Sequence, residues 1–331
     1  GDGWSLDTLS RDIFTFYHAF EHNESPNLPP LRIQYKDYAA WQLDQLNEAL
    51  FADHQSFWFD QLSGELPVLD LPVTKQRPKL KTSRGEGIRA VIDKELTGDL
   101  KAYAVANGGS LFTALLASWN VLLYRYTNQK DIIIGTPVAG RDHADLENQI
   151  GCYVNTLPLR NKINAKDGFT DFFKKVTDKS HQSFEHGMYP FDRLVDDIDL
   201  PRDRSRSAIF DVMLVLQNFE GNTAHSEENY GVTATTTEGL TEILNCTSKF
   251  DLEISFHEID DALSLQVIFN PDVYDGQLMK QLVLHFKQLA TVLHESPDLP
   301  LGKVDFLTKT ERHDLLNLSS VFVEKRPRGA F

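Results

Sequence analysis

DIIIGTPVAGR, residues Asp131–Arg141, and IGCYVNTLPLR, residues Ile150–Arg160, read as a strand, a loop and a second strand. Three consecutive isoleucines followed by Gly-Thr-Pro form a short apolar run bounded by turn residues. That is the pattern of a strand. We read Asp131–Gly135 as one strand and Cys152–Leu159 as another, with a polar loop between them.

Outward from this pair, Ser110–Tyr126 is almost wholly apolar and reads as a buried helix. A helix at about Asp93–Ala106 precedes it, after a strand at Ile88–Ile92. Downstream, Phe169–Glu185 is helical. Phe210–Leu216, Tyr230–Thr236, Phe250–His257 and Leu263–Phe269 read as strands. Asp275–Leu293 is an amphipathic helix with Leu278, Leu282, Phe286, Leu289 and Leu293 on one face. Toward the N-terminus, Ser5 caps a helix reaching about Phe20. The proline-rich Ser25–Pro30 ends it, and a second helical stretch runs from Tyr35 to about Leu62. Strands and helices mixed in this way predict α/β sandwich lobes with mixed sheets.

The chain has 331 residues, a soft prior for two lobes. We divide it into a first-lobe segment at 1–66, a proline-containing linker at 67–86, a second lobe at 87–307 and a tail at 308–331. The last eleven residues are expected to be irregular. The formal charge of −15 argues against nucleic-acid binding, because an acidic surface repels phosphates. No apolar run is long enough to span a membrane. The two cysteines, Cys152 and Cys246, make neither a disulfide framework nor a thiolate metal site and fit a reduced, cytoplasmic setting.

The residues alone show no complete catalytic constellation: no G-x-S-x-G, no Walker loop, no H-E-x-x-H and no G-x-G-x-x-G. Five textured segments nevertheless occur in a fixed order. They are Asp2-Gly3-Trp4-Ser5, Tyr35–Gln42 (YKDYAAWQ), Gly135–Arg141 continuing into Ile150–Arg160, His186–Val195 (HGMYPFDRLV), and Arg202–Arg206 (RDRSR) leading to Phe210–Asn218 (FDVMLVLQN). Each alone reads as a turn, a packing surface or a strand. Together they resemble the motif series of the condensation domains of nonribosomal peptide synthetases: HHxxxDGWS, YxDYAxWQ, IGxFVNTLxLR, HxxxPFxxLV and RDxSRxxxFxVxFxLQN. Lys249–Leu252 and the late amphipathic helix extend the resemblance to about Leu307.

That resemblance implies a two-lobed, chloramphenicol acetyltransferase-like α/β sandwich, here with its N-terminal lobe incomplete. It implies peptide-bond-forming acyl transfer between carrier-protein-bound thioesters. The partners it implies are upstream and downstream peptidyl carrier proteins and an adjacent adenylation domain. Their phosphopantetheine arms act as substrates, and no cofactor is bound covalently. The double histidine of the family motif falls four and three residues before Gly1. No catalytic residue is therefore assigned within the chain, no metal site is assigned, and the chain alone is expected to be inactive. Asp2 is expected to be structural, paired with a buried Arg141, and Gly3 to let backbone pass close to substrate. Asn218 and Trp4 are expected to line the substrate tunnel, and His186 to make a packing contact. The alternative is a non-catalytic condensation-like module that binds carrier proteins or tailoring enzymes. Trp4 and the apolar residues from Leu6 to Phe20 are expected to lack part of their packing surface, favouring association.

Overall fold

A computed structural model describes residues 1–46, 49–73, 75–200, 203–217, 231–235 and 239–324. Helices α1 (Gly3–Glu21), α2 (Tyr35–Gln45) and α3 (Ala49–Gln61) come first and contribute no strand. Then follow β1 (Arg84–Ile92), α4 (Lys94–Ala106), α5 (Leu111–Thr127), β2 (Asp131–Val138), α6 (Ala144–Glu147), β3 (Asn155–Lys162), α7 (Phe169–Glu185) and α8 (Phe191–Ile198). The remainder is β4 (Val212–Gln217), β5 (Gly231–Thr235), β6 (Thr241–Thr247), β7 (Leu252–Ile259), β8 (Ala262–Phe269), α9 (Gly276–Glu295) and α10 (Lys309–Glu324).

The strands form one mixed eight-stranded sheet in the order β3-β2-β4-β7-β8-β1-β6-β5. β2 runs parallel to β4 and β4 parallel to β7, and the other neighbours are antiparallel. The run of isoleucines in β2 is buried because β3 and β4 flank it and α5 packs on it. Helices α4, α5, α7 and α9 pack against one another and, through α4, α5 and α9, onto the sheet, with α7 against β3. Every residue of α5 from Thr113 to Tyr124 is buried, and Trp119 stacks on Phe286 of α9 at 4.6 Å. Ser110 starts α5 through a reciprocal capping box with Thr113.

Several sequence expectations need correction. Asp2, not Ser5, is the N-cap of α1, and Ser5 is the third helical residue of its capping box. The stretch from Tyr35 to Leu62 is two helices. HGMYPFDRLV is not all loop, because Phe191 opens α8. Strand β6 has no counterpart in the sequence reading; β1 pairs with it through a register shift between Gly85 and Gly87, which blurs the alternation. The expected linker at 67–86 gives up residues 84–86 to β1. Its described residues include several that are pinned: Leu69 and Leu71 are buried, Arg77 pairs with the buried Asp251 at 2.5 Å, and Lys81 donates to the Lys249 carbonyl at 2.7 Å. The expected irregular tail begins inside α10, which continues to Glu324. His285 of α9 holds that helix, bonded to Tyr126 on one side at 2.6 Å and to Glu311 on the other at 2.7 Å.

α1 buries only Ser5, Thr8 and Ala19, while Leu6, Ile13, Phe14, Tyr17 and Phe20 are exposed. Its attachment to the core is therefore polar and concentrated at its N-terminus.

Candidate functional site

The start of α1 and the loop from Ala139 to Val154 meet in a knot of buried polar groups. Asp2 Oδ1 accepts the Ser5 backbone N–H at 2.9 Å, and Asp2 Oδ2 accepts that of Tyr153 at 3.0 Å. The Ser5 hydroxyl lies 2.7 Å from both Asp2 Oδ1 and the Gly151 carbonyl, and its single proton serves one at a time. The Gly151 N–H donates to that hydroxyl at 3.0 Å, and the Asp2 N–H donates to the Gly151 carbonyl at 3.1 Å.

Arg141 completes the knot. Its Nη2 lies 3.1 Å from Asp2 Oδ1 and 3.3 Å from Ser5 Oγ, and its Nη1 donates to the carbonyls of Leu146 and Gln149. The two side chains are 2% and 3% exposed. The guanidinium lies over the Tyr153 ring at 4.3 Å and nearer the edge of reach from Trp4 at 5.9 Å. Burial pushes the Asp2 carboxyl up. Hydrogen bonds from the Ser5 hydroxyl, the Tyr153 and Ser5 amides and Arg141 outweigh it and hold the group at about 2, against an ordinary 3.8. The Asp2 carboxyl is therefore ionised at neutral pH, within a multiply bonded pair.

Gly140 makes this geometry possible. Its φ is +63°, and a Cβ there would stand 2.1 Å from the Tyr153 carbonyl oxygen.

Beside the knot lies an open cleft of about 1420 Å³. That exceeds the roughly 300–1,000 Å³ typical of small-molecule pockets. One wall carries Trp4, Tyr38 and Trp41 from the first two helices. The lining also includes Val138 at the end of β2, Met188 between α7 and α8, and Phe191 at the start of α8. The aromatic wall is cemented by Tyr153, which contacts the Tyr35 ring edge-on at 5.2 Å and the Tyr38 ring at 4.8 Å. Burial pushes the phenols of Tyr38 and Tyr153 up, so both are neutral donors at neutral pH.

Of the expected site residues, the structure brings Asp2, Trp4 and Arg141 together. Trp4 lines the cleft and donates its indole N–H to the Glu147 carbonyl at 2.9 Å. Gly3 opens α1, and no atom of the described residues lies within 4 Å of where a Cβ would stand. Asn218 lies outside the described residues, as does Arg202. His186 ends α7, stacks on Phe57 at 4.2 Å and faces His54, with the two Nδ1 atoms 2.9 Å apart.

Asn155 was missed. Its side-chain amide donates to the carbonyls of Gly187 at 2.8 Å and Tyr189 at 2.6 Å, and its oxygen accepts the Phe191 N–H at 2.9 Å. It fastens the α7–α8 turn to the start of β3 and so fixes the Met188 side of the cleft. The signal in the sequence is an amide inside an otherwise apolar strand, Tyr153-Val154-Asn155-Thr156-Leu157.

A mixed sheet covered by helices, with a long cleft at one end of it, has the chloramphenicol acetyltransferase-like architecture. Residues 1–316 match the family model described as "Condensation domain", and the chain belongs to that family. Bacitracin synthase 1 of Bacillus licheniformis is 35% identical over 315 residues, covering 95% of this chain and 6% of that protein. The chain thus spans a small part of the curated synthetases it matches. A four-domain nonribosomal peptide synthetase bound to AMP and glycine superposes with a TM-score of 0.79 at 22% identity, over 94% of this chain and 24% of that one. The X-domain from teicoplanin biosynthesis, in complex with OxyB, superposes with the same TM-score at 23% identity, over 93% of this chain and 68% of that one. At such identities these structures share the fold.

Proposed function

We propose that this chain is part of a catalyst that forms an amide bond between two carrier-protein-bound thioesters in nonribosomal peptide synthesis. The amine of the downstream aminoacyl thioester attacks the upstream acyl carbonyl. A C–N bond forms, the C–S bond breaks, and the upstream phosphopantetheine thiol leaves carrying the proton lost by the amine. The observation that carries this reading is the cleft: it is long, open and walled by the segments that match the family motifs. Asp2 and Arg141 act as positioning residues that hold the Trp4 end of α1 against the Arg141–Tyr153 loop. Trp4 lines the path of the arm, and Asn218 is assigned to it from the motif alone. The role of proton acceptor is assigned to none of the 331 residues. The proposed partners are upstream and downstream carrier proteins and an adjacent adenylation domain, in the cytoplasm. Residues 1–66 and 84–307, the latter starting with β1, are proposed as the two lobes' shares of the chain.

The test is made in a synthetase carrying this chain. Arg141→Met should reduce amide formation by tenfold or more while amino-acid loading of the carriers stays unchanged. Unchanged condensation would refute the positioning role. A second reading, a module that recruits another protein, is favoured by the likeness to the X-domain, which was solved in complex with OxyB. Under that reading acyl transfer never occurs, while capture of a partner enzyme is retained.

A further inference from the structure

The last turn of α1 reads His18-Ala19-Phe20-Glu21-His22, and nothing in the cleft uses it. We propose that His18, Glu21 and His22 bind a borderline divalent transition-metal ion, with Zn²⁺ as the representative.

Two histidines four residues apart on a helix stand one above the other on the same face. Here their rings are 6.3 Å apart and nearly parallel, at 29°. One ligand atom from each of His18, Glu21 and His22 lies within 4.8 Å of the other two. A tetrahedral Zn²⁺ site with Zn–N of about 2.0–2.1 Å holds its ligand atoms roughly 3.3 Å apart. All three side chains are exposed, so torsions alone close that difference without repacking a core.

A second, independent feature points the same way. His22 Nδ1 lies 2.8 Å from the His18 carbonyl oxygen, which can only accept. The proton therefore sits on Nδ1, and the Nε2 lone pair is left pointing outward. A ring N–H donated to a backbone carbonyl is the arrangement that orients histidines which ligate metals. His22 is also the C-cap of α1, and the helix dipole places negative potential at that end, favouring a cation. Two imidazoles and one carboxylate suit Zn²⁺, Ni²⁺ or Cu²⁺ rather than Mg²⁺ or Ca²⁺. Three protein ligands leave a fourth position for water. The site is separate from the Asp2–Arg141 knot and does not depend on the proposed function.

The test is titration of the full 331-residue chain with ZnCl₂ by calorimetry, with circular dichroism confirming that each variant is folded. One Zn²⁺ per chain should bind at these residues. His18→Ala and His22→Ala should each weaken it at least about tenfold, since even losing an outer-shell partner costs about 10–100-fold. His313→Ala, an exposed histidine on α10, should leave it unchanged. Equal affinity for the wild type and the His18→Ala/His22→Ala double variant would overturn the proposal. So would competition by millimolar Mg²⁺ as effective as that by Ni²⁺.

Discussion

Replacing Asp2 by alanine leaves the Arg141 guanidinium buried without its carboxylate and removes the acceptor of three hydrogens, from the Ser5 amide, the Ser5 hydroxyl and the Tyr153 amide. Breaking a buried pair from one side costs about 3–5 kcal/mol, because the remaining charge is desolvated and unpaired. That cost does not have to appear as global unfolding. α1 buries only Ser5, Thr8 and Ala19, so it can leave the core locally once its N-terminal knot is cut. The reporter is the Gly151 amide, which donates to Ser5 Oγ rather than to the replaced carboxylate. If local release absorbs the whole cost, exchange of that amide should accelerate by about 10²-fold or more, at about 1.4 kcal/mol per tenfold. Native-state hydrogen exchange on Asp2→Ala reads this directly, with amides of the buried α5 as the internal control. Acceleration of Gly151 below about threefold, with α5 also unchanged, would refute the claim that this pair holds α1 in place.

Further outcomes follow from the same structure. The Asp2 carboxyl is held at about 2 against 3.8, a depressed value, so its stabilisation is present above about pH 4 and lost as pH falls toward 2. Acid titration followed by Gly151 exchange should show that loss, and Asp2→Asn should abolish it. Gly140→Ala should cost about 1–2 kcal/mol for the left-handed backbone alone, more with the clash on the Tyr153 carbonyl, seen as a lowered urea midpoint. Burial and the neighbouring His186 hold His54 below its ordinary 6.5, so stability should fall as pH drops below 6.5. His54→Asn should flatten that dependence in urea midpoints between pH 7.5 and 5.5. The Glu311 carboxylate is bonded to His285 and Thr308, so Glu311→Ala should free α10 and expose 309–324 to limited proteolysis before the sheet is cut.

How much was legible in the sequence depended on what each residue's neighbours were. The apolar runs of β2 and α5 declared themselves because both are buried all round, and burial on every face leaves an uninterrupted pattern. The Asp2–Arg141 contact was reached through the family resemblance, since 139 residues separate the two and no local period links them. Serine commonly caps helices, which makes Ser5 look like the cap; the carboxylate three residues earlier outcompetes it as acceptor. Asn155 was invisible because its three partners come from the turn after α7, more than thirty residues away. The pinned connector before β1 looked like a linker for the same reason: what fixes Arg77 is Asp251, at the head of a distant strand.

The proposed function requires the cleft to receive a phosphopantetheine arm. Trp4 and Trp41 line it, whereas Trp58 and Trp119 are wholly buried elsewhere. Tryptophan fluorescence during titration with an aminoacyl-pantetheine thioester therefore reports on the site. Saturable quenching, weakened when Met188→Arg narrows the cleft beside Met188, is the predicted result. No response, or a response that Met188→Arg leaves unchanged, would contradict it.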